Sequence, residues 1–254
     1  MSWRKRAIKT VERLTDTHIV RRHRRGIDFV QDIAFSLPKC HIESVFDIGA
    51  NVGQSARVFL DEFPLAHIRC FEPVSKAFNE LKQTFQGNAR VDCYQLAFGA
   101  TKGRGRMVLA GTSDISFLDG QSRDNATSAE LDIDSVDVDT IDGYCRTNEV
   151  PHINFLKIDT EGGDLDVLKG SVGMLGDQRI DLVQVEAGMN PHTNCFVPFE
   201  ALKAFLESHG YRLFGIYEQK HEFITGEAHL RRTNPVFVSQ QVIEANTQLS
   251  RLGS

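Results

Sequence analysis

Apolar residues along this chain recur first at helical spacing and then in short runs, and the change of rhythm divides it. Trp3, Ala7, Ile8, Val11 and Leu14 recur at helical intervals with Arg and Lys on the other side, which predicts a basic amphipathic helix. A second short helix is predicted from Phe29 to Leu37, stopped by Pro38. From Val45 onward strands and helices alternate. Strands are expected at Val45–Ile48, Ile68–Phe71 and Val91–Ala97, and helices at about Gln54–Phe63 and Lys76–Phe85, with a turn at Gly87-Asn88. Gly103–Ala110 reads as an added strand, and residues 111–134, rich in Gly, Ser, Thr, Asp and Asn, as a functional or mobile loop. Val136–Asp139 alternates like a strand, and Thr140 or Asp142 is placed to cap a short helix through Arg146. Then follow a strand at Ile153–Asp159, a helix from Asp164 to Leu168 closing at Gly170, and a strand at Asp181–Glu186. A polar loop from Ala187 to Val197 leads to a helix at Phe199–His209 ending at Gly210. Tyr211–Tyr217 and Asn234–Ser239 are the last expected strands, around a polar insertion at 218–232. This order predicts an α/β fold on a parallel sheet.

Composition narrows the class. At 254 residues, 41% apolar and 25% charged, the chain is long enough for a sizeable core and has the make-up of a soluble globular protein. No apolar run approaches the ~18–20 residues of a membrane span, and no apolar h-region opens the chain, so a cytoplasmic protein is expected. Cys40, Cys70, Cys93, Cys145 and Cys195 are scattered and odd in number, which favours free thiols over a disulfide framework or a zinc site. Residues 1–25 carry nine Lys/Arg against Glu12 and Asp16, a balance of +7, so the rest carries −12 of the net −5. The acidic body argues against nucleic acid as substrate. The basic helix suits either a peripheral membrane contact through residues 1–25 or packing on the domain or a second subunit. The sequence sets no oligomeric state.

Val45-Phe46-Asp47-Ile48-Gly49-Ala50-Asn51-Val52-Gly53 joins a strand, a glycine-punctuated turn and a helix N-terminus, a site suited to a nucleotide-like ligand. Gly49 and Gly53 are expected to let the backbone approach that ligand. About twenty residues later Ile68-Arg69-Cys70-Phe71 ends in Glu72-Pro73, an acid placed to accept from ribose hydroxyls. A dinucleotide fingerprint wants glycine where Asn51 and Gln54 stand, which disfavours a nicotinamide oxidoreductase.

The pattern D-x-G-A-N-x-G followed by F-E-P looks like the S-adenosylmethionine site of a class I methyltransferase. With Ala97-Phe98-Gly99, Val138 to Asp142, and Leu156-Lys157-Ile158-Asp159-Thr160-Glu161-Gly162 running into Val167-Leu168-Lys169-Gly170, the chain is similar to the FkbM family of S-adenosylmethionine-dependent methyltransferases. The likeness covers residues 42 to 187, and more weakly to 240; Asp164 departs from the family's more frequent glutamate. The resemblance implies a class I, Rossmann-like three-layer α/β sandwich with a seven-stranded, largely parallel sheet and an antiparallel last strand. It implies a methyltransferase domain over 42–254; the likeness does not cover the N-terminal 40 residues, and 1–41 is expected from its own pattern to be a basic helical extension. It places Asp47, Gly49, Ala50, Asn51 and Gly53 around the methionine part of the cofactor. Glu72, next to Pro73, would bind the ribose, and Ala97 and Phe98 would border the adenine. The implied reaction is O-methylation of a hydroxyl on a sugar, glycan or secondary metabolite.

Ligands of open parallel sheets bind beyond the carboxyl ends of the strands, where Asp47, Glu72, Ala97, Asp159, Glu161 and Glu186 stand. Crowded carboxylates there are a functional hint, although Glu161 also suits a helix N-terminus. A hydroxyl acceptor needs a base or a metal. Asp159, Glu161, Glu186 and His192 are the candidate catalytic groups, His192 having the most suitable ordinary pKa. Asp159 and Glu186, with Asp or His nearby, could instead hold a divalent cation such as Mg²⁺ or Ca²⁺. Base methylation is disfavoured, because Asp159-Thr160-Glu161-Gly162 stands where an [ND]-P-P-[YF] motif would. A non-catalytic domain that binds a partner or membrane is the reading from another class.

Overall fold

The computed structural model describes residues 25–109, 116–118, 133–190 and 196–250. The helix expected near the start of the chain and the membrane contact considered for residues 1–25 therefore fall, but for Arg25, outside the described residues, as do most of the 111–134 loop and His192. In chain order the elements are α1 (Phe29–Ser36), β1 (Ser44–Ile48), α2 (Gln54–Glu62), β2 (His67–Phe71), α3 (Ser75–Thr84), β3 (Val91–Tyr94) and β4 (Ala97–Phe98). Next come β5 (Gly103–Leu109), β6 (Ser116–Leu118), β7 (Ile133–Asp139), α4 (Ile141–Thr147), β8 (Ile153–Ile158), α5 (Asp164–Lys169), α6 (Val172–Gly176) and β9 (Ile180–Val185). The chain closes with β10 (Ala187–Gly188), β11 (Val197–Pro198), α7 (Phe199–Ser208), β12 (Tyr211–His221), β13 (Leu230–Ser239) and α8 (Gln240–Ser250).

The long strands run β3-β2-β1-β8-β9-β13, with β12 on the outer edge of β13. β1, β2, β3, β8 and β9 are mutually parallel and β13 is antiparallel to β9, as expected for the last strand. Two short strands, β10 and β11, bring the sheet to nine among the described residues, where seven were expected. β10 continues β9 after a break at Glu186: both pair antiparallel with β13 in one unchanged register. That register sets Val185 opposite Pro235, which has no N–H to give the ladder.

The central strands are buried on both faces, so they read as apolar runs rather than alternations. One face packs with Tyr144, Leu168, Leu175, Leu202 and Leu206 of α4 to α7. The other packs with Ile33, Phe59, Leu81 and Val242 of α1, α2, α3 and α8. Three layers result. Local chemistry fixes the helix starts: Asp28 accepts from Gln31 N at 3.0 Å, and Thr140 Oγ1 accepts from Gly143 N at 2.9 Å. Asp142, the other expected cap, instead serves α6, accepting from Gly173 N at 2.7 Å and Met174 N at 2.9 Å.

Three expectations are revised. The run Val91–Ala97 is two strands, and β4 joins β7, β5 and β6 in a separate four-stranded sheet that also takes the Gly103 strand. The insertion at 218–232 is largely a hairpin extension, since β12 runs on to His221 and β13 begins at Leu230. Helix α8 was not foreseen; its Val242 is buried against the sheet. Among the described residues no helix is long and apolar enough to cross a membrane.

Asp142→Ala should leave two N–H groups of α6 without their acceptor. We expect a loss of about 1 kcal/mol of unfolding free energy with the denaturant slope unchanged, measured by urea titration.

Candidate active site

The parallel register carries the site. Ile48 pairs with Phe71 and with Ile158, and Ile158 with Val185. One residue further on, the same register sets Glu72, Gly49, Asp159 and Glu186 in a single row along the carboxyl edge of the sheet. The ladder continues into it: Glu72 N donates to Tyr94 O at 3.1 Å, Gly49 N to Phe71 O at 3.0 Å and Asp159 N to Ile48 O at 3.0 Å.

The glycine loop bends over this row. Gly49 (φ 75°), Asn51 (φ 49°) and Gly53 (φ 90°) are left-handed. A Cβ on Gly49 would collide with the carbonyl oxygen of Asp159, and one on Gly53 with the ring of Phe85. Both glycines are thus required by packing within the protein. Glu72, buried, ties two loops together: Oε2 accepts from Asn51 N at 2.9 Å and Oε1 from Val74 N at 2.9 Å. Burial raises its pKa, and these two backbone bonds oppose the rise.

Beneath the loop lies a buried ion cluster that sequence reasoning missed. Lys157 Nζ stands 3.0 Å from Asp47 Oδ1 and 3.4 Å from Asp159 Oδ2. Burial would lower the pKa of Lys157, but the two carboxylates more than reverse this and raise it. Asp47 is fully buried and its pKa is raised by burial, against the pull of Lys157. Its Oδ2 has no hydrogen-bond partner in the protein.

On the far side of the row, oxygens of Asp159, Glu161 and Glu186 come within 4.8 Å of one another, so the structure brings these three predicted groups together. Arg232, which the sequence placed in a polar insertion, donates to Glu186 Oε1. Asp164 supports the group from below. Its Oδ1 accepts from Glu186 N at 3.1 Å, and its Oδ2 from Thr160 Oγ1 at 3.0 Å and Thr160 N at 3.3 Å. Burial pushes the Asp164 carboxyl up to about 7, helped by the charge of Asp159. Phe196 walls the site, 5.8 Å from the guanidinium carbons of both Arg231 and Arg232.

Other predicted residues take quieter positions. Ala50 is buried. Pro73 offers its carbonyl to Gln95 Nε2 at 3.3 Å. Ala97 packs among Val74, Met107 and Val138. The Phe98 ring is buried edge-on against Phe71 at 4.8 Å and Tyr144 at 5.8 Å, so its side chain is core and only its backbone is left to border an adenine.

The Methyltransferase FkbM domain matches residues 47–213, which span every feature just described except Arg231 and Arg232. The chain belongs to the FkbM methyltransferase family. Among curated proteins it is similar to the hexuronic acid methyltransferase AglP of Haloferax volcanii, 29% identical over 149 residues. That match takes in 58% of this chain and 57% of the relative, so the chain spans little more than half the relative's length. Among solved structures it is similar to a putative RNA methyltransferase from Pyrococcus horikoshii, with 11% identity, TM-score 0.44, and 83% of this chain and 81% of that one covered. It is also similar to the N-terminal domain of EvdMO1, determined with S-adenosylhomocysteine and D-fucose, with 9% identity, TM-score 0.41, and 94% and 97% covered. Neither reaches a TM-score of 0.5, and the class I fold of this FkbM protein stands on its strand order.

As a methyltransferase of this family it calls for a methyl donor, and the one that the sequence resemblance implies is S-adenosylmethionine. The residues present fit it: Glu72 has both oxygens fixed by backbone donors, yet each retains a lone pair for a further donor.

In Glu72→Gln an amide nitrogen must face one of the two backbone N–H groups. We expect affinity for S-adenosylhomocysteine to fall about tenfold or more by calorimetry; unchanged affinity would remove Glu72 from the cofactor site. Asp164 gives a pH signature. Its folded pKa lies above the unfolded value, so its stabilising share is full below about pH 4 and is lost as pH rises toward about 7. Asp164→Asn should flatten that decline in urea titrations across this window, and a parallel decline in both proteins would count against it.

Proposed function

We propose that this FkbM protein transfers the methyl group of S-adenosylmethionine to a hydroxyl of a sugar or glycan. The observation that carries the reading is the row Glu72–Gly49–Asp159–Glu186, which sets a cofactor clamp beside a cluster of carboxylates. A sugar hydroxyl is a poor nucleophile at neutral pH, and acidic groups beside it answer that chemical need. The similarity to a hexuronic acid methyltransferase supports a sugar as acceptor.

When bound, the cofactor supplies a methyl group on sulfonium sulfur. Glu72 would hold the ribose hydroxyls, while Asp47, Gly49 and Asn51 would border the methionine part. Asp159 or Glu161 would accept the hydroxyl proton, with His192, outside the described residues, as the other proposed base. Arg232 fixes Glu186 in place. Alignment of acceptor and methyl then supplies much of the rate.

The test is transfer of label from methyl-labelled S-adenosylmethionine to a panel of uronic-acid glycans, neutral hexose glycans, hydroxylated small metabolites, RNA and protein. Label on sugar oxygen is expected, with Asp159→Asn slowed about a hundredfold or more at unchanged cofactor affinity. Label confined to RNA or protein would overturn the reading. Cofactor binding with no transfer to any hydroxyl would favour a binding domain instead.

A further inference from the structure

The acidic crest has a property that proton transfer alone leaves unexplained. Glu186 is only 4% exposed, Arg232 occupies its Oε1, and its Oε2 is buried with no hydrogen-bond partner in the protein. A buried carboxylate oxygen without a partner is costly, and such oxygens ordinarily meet a donor or a metal. This oxygen belongs to the residue that brings a ligand atom within 4.8 Å of those of Asp159 and Glu161.

The resident cations sit on the flanks. Lys157 approaches Asp159 through Oδ2, shared with Asp47, and Arg232 approaches Glu186 through Oε1. Asp159 and Glu186 thus each have one oxygen engaged and keep another for a ligand between them.

We propose that Asp159, Glu161 and Glu186 hold a single hard divalent cation of the Mg²⁺ or Mn²⁺ class. Among the described residues the set is three carboxylates without imidazole or thiolate, which selects such an ion over zinc or copper. Lys157, Arg232 and Asp164 orient the ligands by bonding their other atoms. Three protein ligands leave positions for water and for an acceptor oxygen, whose proton the cation makes easier to remove. This last role rests on the methyl-transfer reading; occupancy by the cation does not.

The experiment is a Mn²⁺ titration of the full chain followed by electron paramagnetic resonance, on the wild type, Glu186→Gln, Asp159→Asn and the exposed control Glu80→Gln. Calorimetry with S-adenosylhomocysteine in EDTA runs alongside. One Mn²⁺ per chain is expected in the wild type and in Glu80→Gln, with affinity about tenfold or more weaker in Glu186→Gln and Asp159→Asn. If Glu186→Gln fails to fold, Asp159→Asn decides. No bound Mn²⁺ in the wild type, or unchanged binding in the folded variants, overturns the cation site. If S-adenosylhomocysteine still binds in that case, the methyltransferase reading survives. Mn²⁺ binding with no S-adenosylhomocysteine binding upholds the site and sinks the reading on which its acceptor role rests.

Discussion

The ammonium of Lys157 stands in the sheet between carboxylates of two neighbouring strands, and the geometry above it depends on that contact. Asp47 comes from β1 and Lys157 from β8, 110 residues later, in directly paired positions of the parallel ladder. Desolvating both charges is costly, and their attraction in the interior offsets it only while the geometry holds. A slip of one residue between β1 and β8 would turn one of the two charges to the opposite, apolar face of the sheet. The pair therefore disfavours wrong registers, and the correct one brings Gly49 beside Asp159 and, across β9, Asp159 beside Glu186.

The two halves of the crest are built by different means. The glycine-loop side is local: a strand, a left-handed loop and a helix, clamped by the carboxylate of Glu72 from the next strand. The carboxylate side is assembled from distant segments, with Glu161 from the β8–α5 loop, Glu186 from the break between β9 and β10, and Arg232 from β13. That break places a carboxylate at the crest because β9 ends level with β8 while the chain keeps its pairing with β13 on both sides of the gap.

This contrast explains what could be read from the sequence. The alternation of elements, the glycine loop, Glu72 and the acidic strand ends were all legible, because each is a local pattern of apolar runs and punctuation. The partners were not. Lys157 lies in an apolar strand within a quoted motif, and nothing nearby in sequence announces its pairing with Asp47. Arg232 looked like part of a solvated loop, since its partner is 46 residues away. Asp164 drew notice only as a departure from the family's glutamate, although it holds both Thr160 and the amide of Glu186. Gly53 was legible as a glycine loop position, but not that its missing side chain makes way for Phe85 of the following unit. Sequence marks where a Cβ is absent; only packing shows what fills the space.

Beyond Tyr217 and Asn234 the β12–β13 hairpin passes its last regular pairing, with register shifts before Lys220 and His221. Its tip carries Phe223 and Arg231, whose guanidinium lies 5.5 Å from the Phe223 ring and 5.8 Å from Phe196. The tip lies beyond the β9-paired stretch of β13, and the glycine loop and Lys157 stand on other strands. Changes in length between Glu222 and His229 would leave the pairing of Lys157 with Asp47 in place, since that pair stands on β8 and β1. The fold works as a fixed handle with a separate bit at one edge, joined to the crest through Arg232.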